Sequence, residues 1–112
     1  MVVADKGSAE ETTVSSDGQM TVSSGGVANS TTVFDGFMDI SSGGVANDTV
    51  VEGGFLKVLS GGVANDTEMY YNAELNITGG TANGVIMKEL CSIFVSDGGV
   101  LNNLITDNTG GG

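Results

Sequence analysis

The five-residue phrase Gly-Gly-Val-Ala-Asn at residues 25–29 decides how this chain folds, because the chain repeats it. Identical copies occupy residues 43–47 and 61–65, and copies with one substitution each occupy residues 79–83 and 98–102. The starting positions are therefore 18, 18, 18 and 19 residues apart. Since regular spacing places each copy at the same point of a structural unit, the sequence predicts a stack of similar units.

The composition favours a turn-rich β-structure. The 112 residues include 19 glycines and no proline, and 39% of the residues are apolar. Glycine does not recur at every third position, which excludes a collagen helix, and the apolar content is too high for a disordered chain. We therefore expect an ordered chain with frequent glycine turns.

The repeat extends over most of the chain. Read backwards with a 19-residue step, Ala9 and Val14 match Ala28 and Val33, so a degenerate first repeat precedes the first intact phrase. We expect residues 1–112 to form a single unit of about six rungs, each of 18 or 19 residues. The predicted rungs are residues 6–24, 25–42, 43–60, 61–78, 79–97 and 98–112.

Each repeat contains two short stretches that read as β-strands. In the second stretch apolar and polar residues alternate, as at Met38 and Ile40, which predicts a strand with one face inward. In the first stretch, the columns that contain Thr31 and Val33 are also expected to face a core. The column of small residues that contains Ala28 is expected where the chain bends and little room remains. The pairs equivalent to Met38 and Ile40 are Met20 and Val22, Leu56 and Val58, Leu75 and Ile77, and Ile93 and Val95.

These features predict an all-β fold, a right-handed parallel β-helix or β-solenoid. Equivalent strands of consecutive repeats run in the same direction, and the connection rule favours a right-handed coil. An array of antiparallel hairpins would use the same turns, but two unlike halves within one period fit a coil better. Repeat four departs from the regular pattern of apolar positions, because Glu74 takes the position that Leu56 has in repeat three. This departure predicts a bulge or slip at residues 70–73.

The charge excludes several partners. Three basic and fourteen acidic residues give a net charge of −11, which repels phosphate backbones and anionic membranes, so we expect no nucleic-acid binding. A run of about 18 apolar residues is absent, so no membrane insertion is expected. The N-terminus lacks the basic and then apolar layout of a signal peptide. If the parent protein is exported, we expect this chain to be an excised fragment.

The chain has few residues of the types that enzymes use in catalysis. The chain has no histidine and one cysteine, Cys91, which excludes a nucleophilic triad and histidine-ligated zinc. Cys91 is interpreted as incidental, because Lys88 is the only cation near it in sequence. A pair of carboxylates, as in glycosidases, remains as an alternative, and five acidic residues near turns could line one outer face. They are Asp35, Asp39, Glu52, Glu68 and Glu74.

Our prediction is that the chain is not an enzyme and holds no cofactor or metal. A single Lys57 among the five carboxylates is a poor stabiliser of acidic sugars. The segments at residues 43–48 and 61–66 partly match a calcium-binding nonapeptide, but Ala46 and Ala64 stand where that motif has glycine. Solvated turn aspartates are therefore expected there.

Two further patterns have both a structural and a functional interpretation. Phe37 and Phe55 align in adjacent rungs and could stack on a sugar, although packing is favoured. Four asparagines satisfy the N-glycosylation pattern, although a column that caps a turn or stacks its amides is favoured. These asparagines are Asn29, Asn47, Asn65 and Asn76.

The repeat resembles those of bacterial autotransporter passengers of the diffuse-adherence adhesin type. The resemblance rests on Gly-Gly-Val-Ala-Asn-Asp-Thr, a following valine, a glycine turn, and a short apolar strand that ends in serine before the next Gly-Gly. It implies a β-helix passenger at the bacterial cell surface or secreted, with roles in adhesion and aggregation. It also implies O-glycosylation of repeat serines, with Ser24, Ser42 and Ser60 as the positional candidates. Thr78 and Asp97 are read as replacing that serine in later repeats.

The expected partners follow from the same resemblance. They are a glycosyltransferase and the surface of a host or neighbouring cell, and the open ends of a coil suggest end-to-end self-association. The alternative function is a carbohydrate-binding or polysaccharide-processing β-helix fragment.

Overall fold

The computed structural model describes residues 2–3, 7–16, 18–88 and 91–107, and this part of the chain consists of β-strands joined by short turns. Within these ranges there is no helix long and apolar enough to cross a bilayer. Some residues that the sequence assigns to structural features lie outside the described residues. They are Lys6 in the first predicted rung, Asp17 in a predicted turn, and residues 108–112 at the end of the last predicted rung. The strands are β1 (Val2–Val3), β2 (Ser8–Glu10), β3 (Thr13–Val14), β4 (Gln19–Val22), β5 (Val27–Asn29), β6 (Thr32–Phe34), β7 (Phe37–Ile40), β8 (Val45–Glu52), β9 (Phe55–Leu59), β10 (Val63–Tyr70), β11 (Glu74–Thr78), β12 (Thr81–Lys88), β13 (Ser92–Ser96) and β14 (Val100–Asp107).

The strands form two parallel sheets wound around one axis. One sheet, sheet A, has the order β1-β4-β7-β9-β11-β13, and the other, sheet B, has the order β2-β5-β8-β10-β12-β14. In sheet B, β6 also pairs with β8, and β3 pairs with β6. Within the described residues every strand pair is parallel, and the chain alternates between the two sheets, with β2 and β3, and likewise β5 and β6, forming one pass through sheet B. The prediction of an all-β parallel solenoid is confirmed, with about five turns in the described residues.

The register follows the repeated phrase. Val63 pairs with Val45 on one side and with Thr81 on the other, and Val27 and Val100 extend the same column. Equivalent residues therefore lie above one another at the usual strand spacing of about 4.8 Å. Stacking in this way lets each rung bury its apolar face on the next, which a single repeat cannot do.

The core consists of inward columns from both sheets, and the alternation in the second stretch predicts those of sheet A. Sheet A contributes Met38, Ile40 and their equivalents, and those from Met20 to Ile77 are fully buried. Sheet B contributes a column of small residues and two larger columns. These are Ala9, Ala28, Ala46, Ala64 and Ala82; Thr31, Thr49, Thr67 and Val85; and Val14, Val33, Val51 and Met69.

The last rung is less covered than the others. Val95 and Leu104, which the sequence assigns to inward columns, are 46% and 43% exposed. They lie on β13 and β14, which are the terminal strands of the two sheets. Their exposure follows from this position, since no described strand packs beyond them.

In the described residues the coil has three bends per turn, one more than the two strand stretches of each repeat predict. The additional bend divides the first half of the repeat directly after the phrase asparagine, where one residue adopts a left-handed conformation. Ser30, Asp48, Asp66 and Asn103 each have φ 58 there, and Gly84 has φ 73. Serine, aspartate and asparagine tolerate this conformation through local hydrogen bonding, whereas branched residues do not.

The irregularity in repeat four is confirmed and located. Tyr70 still pairs with Glu52 at the regular repeat interval, but Glu74 pairs with Phe55 at an interval that is longer by one position. The extra residue is accommodated at Tyr71 and Asn72, which both have positive φ. The pairing of Thr81 with Val63 restores the regular interval, so the next corner is one residue shorter.

Candidate functional sites on the outer surface

Three candidate glycosylation serines form one exposed column at the corner between sheet A and sheet B. The amide of Ser24 donates to the carbonyl of Ser42 at 2.9 Å, and the amide of Ser42 donates to the carbonyl of Ser60 at 2.9 Å. All three residues are exposed and lie directly before the first glycine of the repeated phrase. The structure therefore presents the three hydroxyl-bearing side chains in adjacent rungs, at the tips of tight turns.

The turns that carry these serines are closed by backbone hydrogen bonds. The amide of Gly44 donates to the carbonyl of Ser41 at 2.8 Å, and the amides of Gly26 and Gly62 make the equivalent bonds. Ser42 and Gly43 both have positive φ, as the mirror-image turns of β-structures require. Ser60 does not have positive φ, so its turn has a different type.

The assignment of Thr78 to the serine column is wrong. Thr78 pairs with Leu59 on one side and Ser96 on the other, so it belongs to the strand and not to the turn. The corner of that rung is one residue shorter and has no equivalent of Ser60. Asp97, by contrast, has φ 52 in a turn closed by Gly99 and Ser96, and thus takes the serine position as expected.

A ladder of asparagine side chains runs along the same solenoid. Asn47 donates to Asn29 at 3.0 Å, Asn65 to Asn47 at 2.9 Å, Asn83 to Asn65 at 3.0 Å and Asn102 to Asn83 at 2.8 Å. The interpretation of these residues as a stacked amide column is confirmed. The amide nitrogens of Asn47 and Asn65, two of the candidate N-glycosylation acceptors, are thus already engaged. Asn76 donates to Glu74 at 2.8 Å.

The aromatic residues that align in sequence also stack in space. The rings of Phe37 and Phe55 are 5.2 Å apart and inclined by 5°, on the outer face of sheet A. They are 41% and 37% exposed. Because each ring covers one face of the other, the pair presents mainly ring edges, which favours packing between neighbouring rungs over stacking on a sugar.

The five acidic residues do not share one outer face, which contradicts that expectation. Asp39 and Glu74 lie on strands of sheet A, whereas Glu52 and Glu68 lie on strands of sheet B. Asp35 lies at a bend with φ 56. Proximity to a turn in the sequence does not indicate which sheet a residue joins, and the sheet assignment separates these side chains.

Glu68 takes part in a small polar cluster on sheet B. The Tyr70 hydroxyl donates to Glu68 Oε2 at 2.8 Å, and Lys88 Nζ lies 5.0 Å from the centre of the Tyr70 ring. The hydrogen bond to the Glu68 carboxylate raises the pKa of Tyr70, with desolvation adding to this effect. Sheet B aligns Tyr70 with Glu52 in the preceding rung, and Glu52 with Phe34 one rung earlier.

No group of three or more cysteine, aspartate or glutamate side chains in the described residues is arranged to hold a metal ion. Cys91 is half-buried and packs against the core.

A groove on the outer surface of sheet B is a feature that the sequence interpretation does not include. It has a volume of about 380 Å³ and runs beside the column of left-handed residues, between Asp48, Asp66 and Gly84 on one side and the outward column of the next strand segment on the other. The sequence signal lies in the residue that follows each phrase asparagine. The lining residues are Asp48, Thr49, Val50, Asp66, Thr67, Glu68, Gly84, Ile86, Asn103 and Ile105.

Comparisons with known proteins give a match among solved structures. No family model matches the chain, and no curated protein sequence matches it. Among solved structures, the chain is similar to the TibA 55–350 fragment, crystallised after hyper-glycosylation catalysed by TibC, with a TM-score of 0.86 and 38% identity. The match covers 89% of this chain and 38% of that fragment, so the chain spans well under half of the protein it resembles.

Proposed function

We propose that this chain is a segment of an autotransporter passenger that serves as a stiff, acidic rod in adhesion at the bacterial surface or in the secreted state. The observation that carries the proposal is the match to the TibA fragment, which extends over nearly all of the chain at 38% identity. The repeat resemblance to adhesins of the diffuse-adherence type supports the same assignment. A solenoid suits this role because its length grows with the number of rungs while its cross-section stays constant.

We further propose that a glycosyltransferase modifies the serine column. The TibA fragment was hyper-glycosylated by TibC, and Ser24, Ser42 and Ser60 are exposed at turn tips where an enzyme can reach them. Their backbones are held by hydrogen bonds between rungs, so a sugar can be added without disturbing a strand.

Co-expression with TibC followed by intact mass measurement tests this part of the proposal. We expect sugar-sized mass increments on the wild-type chain, and up to three fewer sites in a variant with Ser24→Ala, Ser42→Ala and Ser60→Ala. Ser30→Ala is a matched control, since Ser30 is also exposed and left-handed but lies at a different bend. Unmodified wild-type chain, or equal modification of the triple variant, would contradict the assignment.

The adhesive role itself is tested by display of the chain on a bacterium that does not adhere. We expect the displaying cells to attach to epithelial cells or to one another, and cells with the empty display vector to do neither. The same experiment addresses self-association, which the exposed inward-column residues of the terminal strands β13 and β14 support. These residues are Val95 and Leu104.

A non-catalytic role is part of the proposal. What supports it is the distribution of Asp39, Glu52, Glu68 and Glu74 over two sheets, so that these four carboxylates do not line one common site. Release of reducing ends from acidic or neutral polysaccharides by the purified chain would contradict it.

A further inference from the structure

The groove on sheet B combines an acidic wall with an aliphatic wall. The acidic side is the left-handed column, in which Asp48 and Asp66 lie in adjacent rungs and both side chains are exposed. The aliphatic side is an outward column in which Val50, Glu68, Ile86 and Ile105 are paired in register from rung to rung. Val50 and Ile86 are half-buried and Ile105 is 57% exposed, so apolar side chains face outward here.

Gly84 interrupts the acidic wall, because it has no side chain. Its position lies between Asp66 and Asn103 in the left-handed column, and a Cβ placed on it would come within 3.0 Å of Asp66 Oδ1. The missing side chain leaves a recess beside Ile86 and next to the Asp66 carboxylate. Asn103 closes the far end of the groove with an amide in place of a carboxylate.

The charge of the groove selects the class of ligand. The described lining contains three carboxylates, of Asp48, Asp66 and Glu68, and no lysine or arginine. Glu68 already accepts the Tyr70 hydroxyl, which leaves the two aspartates as the principal acceptors for a ligand. With a net charge of −11 on the whole chain, the site attracts a cation and repels acidic polymers.

The spacing of the groove selects the shape of the ligand. Its four rungs, from Asp48 to Asn103, repeat at about 4.8 Å and extend over roughly 14 Å. Because side chains alternate between the two faces of an extended peptide, those on one face recur only every ~7 Å, which falls out of step with the rungs. One pyranose ring in an extended glycan is close in length to one rung, and its C–H face suits contact with valine and isoleucine.

We propose that this groove binds an extended amino-sugar glycan that lies along the solenoid axis, with its ammonium and hydroxyl groups donating to Asp48 and Asp66. The sugar faces contact Val50, Ile86 and Ile105, and one substituent enters the recess at Gly84. This inference rests on the proposed adhesive function and names the ligand class of one surface. It can be tested separately from the glycosylation proposal. Ser24, Ser42 and Ser60 lie at a different bend, and their modification is measured by intact mass and not by ligand binding.

Calorimetric titration of the 112-residue chain with a glucosamine tetramer tests the proposal. We expect binding that weakens as salt is raised, weaker binding of the neutral N-acetylglucosamine tetramer, and no binding of a galacturonic acid tetramer. The double variant Asp48→Asn and Asp66→Asn should lower the affinity for the glucosamine tetramer by about tenfold or more, since two charge-assisted acceptors are lost. Asparagine tolerates the left-handed conformation, so the fold should persist.

Asp97→Asn is the matched control. It makes the same aspartate-to-asparagine change, with loss of one charge, at another left-handed position, φ 52, outside the groove, and it should leave the affinity unchanged. Gly84→Asn is an independent test, because it fills the recess with a residue that accepts positive φ, and it should abolish binding while the melting temperature stays close to that of wild type.

Three results would overturn the proposal. The first is no binding of the glucosamine tetramer, and the second is equal affinity of wild type and the double aspartate variant. The third is tighter binding of a lysine oligomer than of the glucosamine tetramer, which would make the groove a peptide site. None of these results would bear on whether TibC modifies the serine column.

Discussion

The side-chain amide of Asn65 donates to Oδ1 of Asn47 at 2.9 Å, one repeat earlier in the chain, and Asn65 accepts from Asn83 at 3.0 Å through its own Oδ1. Each asparagine inside the ladder therefore joins two neighbouring rungs. Amides that stack in this way satisfy one another at a half-buried position where water is less available. The ladder is the polar counterpart of the apolar columns in the core.

The first prediction concerns the ladder. Asn65→Ala removes two hydrogen bonds and leaves Asn47 Oδ1 and the amide of Asn83 without those partners, so we expect a loss of about 1–3 kcal/mol in the free energy of unfolding. Asn102→Ala is the control, because Asn102 is exposed and makes one ladder bond, to Asn83. Urea unfolding followed by circular dichroism measures both. Equal losses for the two variants would show that the interior of the ladder carries no additional stability.

The second prediction is a gain in stability. The Oγ1 atoms of Thr31, Thr49 and Thr67 are buried without a protein hydrogen-bond partner among the described residues. Val85 occupies the next position of the same column and pairs with Thr67. Because Thr67→Val keeps the shape and removes an unsatisfied hydroxyl, we expect the protein to become more stable by about 1 kcal/mol.

A thermal melt measures the effect of Thr67→Val. Thr32→Val is its control, since Thr32 lies on the equivalent segment of an earlier rung but is half-exposed and faces outward. A lower melting temperature for Thr67→Val than for wild type would mean that the hydroxyl contributes to the core in another way.

The third prediction tests the inward assignment of sheet A. Val58 is fully buried, whereas Asp39 lies on the outer face of the neighbouring strand and accepts a hydrogen bond from Gln19 at 3.2 Å. Val58→Asp places an unpaired charge in the core and should cost about 3–5 kcal/mol. Asp39→Asn should change stability by less than about 0.5 kcal/mol, as surface substitutions usually do. Similar melting temperatures for the two variants would contradict the assignment.

The inward columns and the parallel register could be read from the sequence because both depend on short-range patterns. Met38 and Ile40 alternate with polar residues, and the phrase glycines recur at a fixed interval, so strand faces and stacking follow without knowledge of the turns. The displaced register at Glu74 is visible for the same reason. These features make the core the most predictable part of the fold.

The third bend and the groove could not be read in the same way. The left-handed residues Asp48 and Asp66 lie in the middle of an apparent strand. Serine, aspartate, glycine and asparagine at that column indicate a bend through their turn propensity, which a pattern of alternating hydropathy does not register. The position of Thr78 is hidden because one residue is gained at Tyr71 and lost before Gly79, so the interval between phrases does not change. Two changes in turn length that compensate each other do not alter the spacing between copies of the repeated phrase.

The fourth prediction concerns the pH dependence of stability. The folded-state pKa of Tyr70 is raised because its neutral hydroxyl donates to the Glu68 carboxylate. A raised folded pKa means that this contribution is fully present below the unfolded value, about 10, and is lost as the pH rises through the folded value. We therefore expect Tyr70→Phe to be less stable than wild type near neutral pH, with a difference that shrinks once the pH exceeds the unfolded value.

Titration of tyrosinate absorbance gives the direct measurement. The chain has two tyrosines, so a Tyr71→Phe background leaves Tyr70 as the sole reporter. In that background Glu68→Gln should lower the pKa of Tyr70, because the carboxylate that favours the neutral phenol is removed. An unchanged pKa would show that Glu68 is not the cause of the shift.

The fifth prediction separates two functions of the phrase glycines. A Cβ on Gly62 would lie 2.4 Å from the carbonyl oxygen of Ile40, and this backbone atom of the preceding rung cannot move aside. Gly62→Ala should therefore push two rungs apart and cost several kcal/mol or abolish folding. Gly98 has φ 81, but a Cβ added to it would meet nothing within 4 Å, so Gly98→Ala should cost only the strain of the left-handed conformation, about 1–2 kcal/mol. Soluble yield and thermal unfolding by circular dichroism distinguish the two effects. If Gly98→Ala were as damaging as Gly62→Ala, the phrase would require glycine mainly because of positive φ and not because of close contact between rungs.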